Sequence, residues 1–103
     1  MKLQLQPNEQ VIKASDTNHF LTNEETIDGK LVLTNQKRLY FKSGEERGDQ
    51  FDKTLSMQEI RDVMYFKTGL FSKGLRLLTA NGDDLRFKLK GLDSWAKALT
   101  GMI

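Results

Sequence analysis

The chain has no cysteine, one proline, one histidine and one tryptophan in 103 residues. Without cysteine there are no disulfides, thiolate nucleophiles or cysteine-based zinc sites, and a reducing compartment, with the cytoplasm as the expectation, is permitted. The lone Pro7 and eight glycines that occur singly leave no Pro/Gly-rich linker, so residues 1–103 read as one domain. The opening Met1-Lys2-Leu3-Gln4-Leu5-Gln6-Pro7 lacks the apolar run of a signal peptide, and no stretch reaches the roughly 18 apolar residues of a membrane-spanning helix. The expectation is a chain that neither spans a membrane nor is exported. Neither sign of charge dominates: sixteen basic residues face fourteen acidic ones, a net charge of +2. That balance argues against a polybasic nucleic-acid or membrane domain and leaves local charge placement to carry any binding argument.

The chemistry of catalysis is equally scarce. His19 stands in Asn18-His19-Phe20-Leu21 with no second histidine at metal-binding spacing and no paired base, and reads as a surface or strand-end imidazole. The acid pairs Glu24-Glu25, Glu45-Glu46 and Asp83-Asp84 fall in turn segments, where adjacent carboxylates are ordinarily solvated. Gly44-Glu45-Glu46-Arg47-Gly48 carries carboxylates where a phosphate-cradling loop has a lysine. No catalytic residue, metal site or cofactor is expected.

What the chain does have is alternation. In Gly29–Phe41, Leu31 and Leu33 alternate with other residues, as do Leu39 and Phe41, the period of two that a half-buried strand requires. Thr34-Asn35-Gln36-Lys37 breaks the pattern and supplies a turn. Pairing Leu33 with Leu39 and Leu31 with Phe41 puts all four on one face. Short apolar runs recur from Val11 to Leu89 at the spacing of an antiparallel sandwich or barrel. At Ala80-Asn81-Gly82, a two-residue loop would turn Leu75 and Leu77 outward. A three-residue loop with Gly82 left-handed keeps Leu75, Leu77, Leu85, Phe87 and Leu89 together and sets Arg76 opposite Arg86. After Leu92 the period becomes helical, with Leu92, Trp95, Ala96, Leu99 and Met102 on one stripe and Asp93 or Ser94 available as the N-cap. So short a helix must dock its Trp95 face on the strands.

The wording Gly29-x-Leu31-x-Leu33-Thr34-Asn35-x-x-Arg38-Leu39-x-Phe41 resembles the GRAM domain, a variant of the pleckstrin-homology fold. With the Ile60-Arg61-Asp62-Val63 corner, the Gly82 hairpin and the Trp95 helix, the resemblance extends from about Asn8 to Met102. It implies an all-β fold with one C-terminal helix: a seven-stranded antiparallel sandwich or partly open barrel capped by that amphipathic helix. It also implies peripheral membrane or phospholipid association by a non-catalytic binding module.

Three surfaces are candidates for that binding. The loops where pleckstrin-homology domains hold phosphoinositides are acidic here, with Glu24, Glu25, Asp28, Glu45, Glu46, Asp49, Asp83 and Asp84 against the single Arg47. A carboxylate beside a phosphate costs about 2–4 kcal/mol at an effective dielectric near 20, so the usual headgroup site is not expected to work. The segment Lys67-Thr68-Gly69-Leu70-Phe71-Ser72-Lys73 sets two apolar residues between lysines, the pattern of a tip that dips into headgroups, though the same residues also suit a cover for the open end of the sandwich. The third surface is the outer row Arg76, Arg86, Lys88 and Lys90. Facing arginines call for an anionic partner or a nearby acid. The candidate binding residues are thus Lys67, Leu70, Phe71, Lys73, Arg76, Arg86 and Lys88, and the expected partner is an anionic membrane surface. The rival is a protein partner held by the acidic loops or an exposed strand edge, where a homodimer would also form. Nucleic acid is not expected, since the row lacks interleaved aromatics.

Overall fold

The computed structural model describes residues 5–22, 24–44, 52–67 and 72–102. The predicted hairpins set its frame. Strands β2 (Thr26–Thr34) and β3 (Arg38–Ser43) pair with Leu33 opposite Leu39 and Leu31 opposite Phe41, and all four side chains are buried. Strands β6 (Lys73–Thr79) and β7 (Asp84–Leu89) pair with Leu77 opposite Leu85, Leu75 opposite Phe87 and Arg76 opposite Arg86. Gly82 takes φ +88°, which a side chain would resist, and closes the three-residue loop.

With β1 (Val11–Phe20), β4 (Lys53–Ser56) and β5 (Ile60–Lys67), these strands form one antiparallel sheet in the order β4-β3-β2-β1-β7-β6-β5. It curls into a half-barrel closed by a single C-terminal helix, the all-β architecture expected. Of the two forms predicted it is the partly open barrel rather than two separate packed sheets. Strand β1 decides this: it pairs along its length with β2, and Thr17 to Phe20 also pair with Leu89 to Arg86 of β7, so the two halves share a strand. A one-turn 3-10 helix, Met57–Glu59, carries the chain from β4 to β5. Ser56 and Glu59 cap it reciprocally, each accepting from the other's side of the turn, while Met57 and Ile60 enter the core.

Helix α1 (Leu92–Thr100) lays Trp95 and Leu99, at most 1% exposed, against β5 and β6. Its N-cap differs from the sequence expectation. Gly91, left-handed at φ 67°, occupies that position without a side-chain hydrogen bond. Asp93 and Ser94 are used elsewhere: Tyr65 Oη donates to Asp93 Oδ1 (3.1 Å) and Lys13 Nζ to Ser94 Oγ (2.7 Å). The Lys13 ammonium also sits 5.3 Å from the centroid of the Trp95 ring, so its contacts tie β1 to the helix.

His19 is a second correction. It is buried at 4% exposure, stacked on Phe87 (4.8 Å between centroids) and tilted against Phe41 (5.1 Å). Its parity on β1 with Thr17 turns it inward. Nδ1 donates to the Arg86 carbonyl at 3.1 Å, which makes this a core imidazole with its polar atom satisfied.

Candidate functional site

Residues that alternate with the core positions form the outer face of the sheet, and the strand register arranges them in rows. One row runs Met64, Arg76, Arg86, Phe20 from β5 to β1. The next holds Phe66 and Gly74, then, continuing the same register, Lys88, Asn18 and Asp28. Phe66 lies across Gly74, where a Cβ would fall 2.4 Å from the ring, so only glycine lets the aromatic close on the sheet there. Phe20 meets Phe66 edge-on at 5.4 Å, and the Arg86 guanidinium sits 5.7 Å from the Phe66 centroid. The result is a half-buried aromatic pair beneath a cation.

Charge is distributed unevenly over the sheet. Toward β1–β3 two lysines of the outer face are matched: Lys30 Nζ meets Asp16 at 2.9 Å and Lys42 Nζ meets Asp52 at 2.5 Å. The Lys30 hydrogen bond and charge hold the Asp16 carboxyl below its usual range. For Asp52 burial acts to raise the pKa, but hydrogen bonds from Lys42 and Ser43 outweigh it and the net shift is downward. In the predicted outer row, Arg76 is clamped by Asp84 through Nε (2.9 Å) and Nη2 (2.7 Å). Asp84 belongs to β7 rather than to an acidic loop, and it is the nearby acid that the facing arginines called for.

The other end of the sheet differs. Lys67 and Lys73 pair directly where β5 ends and β6 begins. Lys88 and Lys90 flank Leu89 at the end of β7. All four are exposed, and among the described residues none makes an ion pair. The sequence candidates Lys67, Lys73 and Lys88 thus lie at the same end of these strands, Lys67 and Lys73 on the parity of Tyr65 and Leu75 and Lys88 on the outer face with Arg86. Arg76 is taken up by Asp84. Leu70 and Phe71 lie outside the described residues, as do Glu45, Glu46, Arg47 and Asp49. Beside this end a groove of about 500 Å³ is lined by Lys88 and Lys90 together with Asp16, Asn18 and Asp28.

Sequence reasoning missed two features. Phe66 stands opposite Gly74, a pairing readable once the hairpin closing Lys67 on Lys73 is drawn. Glu9 gave no signal. It is 7% exposed and accepts hydrogen bonds from Thr34 Oγ1 (2.6 Å), Tyr40 Oη (2.8 Å) and the Gln6 backbone N–H (2.9 Å). Burial acts to raise its pKa, yet those donors and the Arg38 charge prevail and hold the carboxyl below its usual range. The same burial, with the carboxylate beside it, pushes the Tyr40 hydroxyl up. This clasp fastens the segment before β1 to the β2–β3 hairpin.

Among the described residues no group of three or more histidine, cysteine or carboxylate side chains is placed to hold a metal ion, and no helix is long and apolar enough to cross a membrane. No family model matches the chain, and no curated protein matches it. Among solved structures it is similar to the C-terminal domain of an unknown protein from Leishmania infantum, at 16% identity and a TM-score of 0.77, over 93% of this chain and 85% of that one. That likeness concerns the fold alone.

Proposed function

We propose that this chain is a non-catalytic binding module of the GRAM and pleckstrin-homology type, which associates peripherally with an anionic membrane surface through the lysine end of its sheet. The observation that carries this reading is the placing of four exposed lysines, Lys67, Lys73, Lys88 and Lys90, none in an ion pair among the described residues, at the same ends of β5, β6 and β7. Each lysine near an anionic bilayer contributes roughly 1 kcal/mol, so four suffice for reversible attachment without a deep headgroup pocket. Arg86 and the Phe20–Phe66 pair flank the cluster with a cation over an apolar platform. The acidic side chains Glu24, Glu25 and Asp83 are exposed elsewhere, and soluble inositol phosphates are not the expected ligands.

Co-sedimentation with vesicles tests this. Phosphatidylglycerol vesicles should carry the protein down, phosphatidylcholine vesicles should not, and binding should weaken steeply with added salt. Equal sedimentation with both, or with neither, would remove the lipid reading. A protein partner is the second reading, favoured by β5, which among the described residues is an edge strand of the sheet and could take an added strand. Retention of binding to a protein partner after Lys67, Lys73, Lys88 and Lys90 are changed to glutamine would support it.

A further inference from the structure

We infer that the groove beside the lysine end is a binding site for a phosphoserine-type group, a ligand with two anionic groups and one ammonium. The inference rests on the proposed membrane reading in its lipid arm alone. The groove's lining carries Lys88 and Lys90 on the β7 side and Asp16 and Asp28 on the side of β1 and β2. Asp16 pairs with Lys30 at 2.9 Å, and the Lys90 charge also acts on it, so these three groups together leave one positive charge. Asp28 has the Asn18 amide as its side-chain partner and no cation among the described residues. The charges left for a ligand are therefore two positive ones, that remainder and Lys88, and the Asp28 carboxylate, the complement of a phosphate, a carboxylate and an ammonium.

Spacing agrees with this. Asn18 pairs with Lys88 on one side and with Asp28 on the other, so the two charged positions stand two strand spacings apart, about 9–10 Å between backbones. No Lys88–Asp28 ion pair spans that gap. A headgroup lying across Asn18 would direct its phosphate and carboxylate to the lysines and its ammonium to Asp28. The single carboxylate wall disfavours ligands that carry phosphates and no cation, because these would be repelled on that side.

The test compares vesicles matched in anionic charge, one set containing phosphatidylserine and the other phosphatidylglycerol, together with titration of soluble glycerophosphoserine followed by backbone amide shifts. Phosphatidylserine should bind about threefold to fivefold more tightly, the range of one exposed ion pair. Asp28→Asn, which keeps the Asn18 contact, should abolish that preference without weakening phosphatidylglycerol binding. Lys88→Gln should weaken both. Saturable shifts at Asn18, Asp28 and Lys88 with soluble glycerophosphoserine, absent in Asp28→Asn, would support the site even if neither vesicle binds, in which case the membrane reading fails alone. Equal binding of the two vesicle types by the unchanged protein, or a preference that survives Asp28→Asn, would overturn the proposal. So would the absence of both vesicle binding and amide shifts.

Discussion

Two regions of the sheet, β1–β3 and the ends of β5, β6 and β7, use the same residues differently. Around β1–β3 the outer-face lysines Lys30 and Lys42 each have a carboxylate in hand, and Glu9, the one buried carboxylate among the described residues, is surrounded by donors. Around the ends of β5, β6 and β7 lysines outnumber the acids within reach. Matched surface pairs contribute about 0–1 kcal/mol each to stability, so the pairing at the first end is mainly a matter of local order. Unmatched lysines contribute still less to folding, which leaves them available for something outside the chain. The contrast separates residues that hold the domain together from residues that face a partner.

The largest expected effect lies on the structural side. Trp95→Ala should cost about 3–5 kcal/mol, because it empties a fully buried site between α1 and the sheet. Urea titration measures this, and a loss under about 1 kcal/mol would mean that the helix does not plug the half-barrel. Glu9→Ala comes next, at about 2–3 kcal/mol, since it strands the buried Thr34 and Tyr40 hydroxyls without an acceptor. A cost within about 0.5 kcal/mol would mean that the clasp is not closed in solution.

Acid should loosen the same end in two stages. His19 is held below its ordinary value of 6.5, chiefly because burial disfavours the imidazolium, with Lys53 and Arg86 adding to this against the hydrogen bond to the Arg86 carbonyl. The unfolded chain therefore binds the proton first. Stability is full above pH 6.5 and declines as the pH falls below it. Glu9 is held below 4.5, so its contribution is present above that pH and is lost as the pH falls through its lowered folded value. Thermal melts of the unchanged protein and of Glu9→Gln across this range would show the lower stage in the first and its loss in the second. The smallest effect on folding belongs to the lysine end, where glutamine at Lys67, Lys73, Lys88 or Lys90 should shift stability by no more than about 0.5 kcal/mol.

Much of the frame was legible in the sequence, for identifiable reasons. Both hairpin registers follow from the period-two pattern and from the need to keep Leu75 and Leu77 inside, and the helix follows from the stripe through Trp95. Local pattern did not reach the β1–β7 pairing that fuses two sheets into one, because Thr17 and Leu89 lie far apart in the chain. Glu9 was invisible for the same reason: its partners are 25 and 31 residues away, and a glutamate near a proline turn reads as solvated. Asp93 and Ser94 have the chemistry of helix caps, but Gly91 closes the helix and their side chains serve Tyr65 and Lys13. The lysines of the candidate site were legible as residues. Which of them stay unmatched depended on the cross-strand neighbour, as Arg76 with Asp84 makes plain.

The central claim is that position, rather than charge alone, makes the lysine end the attachment surface. It is tested most directly by vesicle co-sedimentation of two variants side by side: one with Lys67, Lys73, Lys88 and Lys90 changed to glutamine, the other with the paired Lys30 and Lys42 changed. At roughly 1 kcal/mol per lysine, the first should lose more than about a hundredfold in affinity for phosphatidylglycerol vesicles while the second stays within about threefold of the unchanged protein. Equal losses per lysine in the two variants, or full binding by the first, would contradict the account.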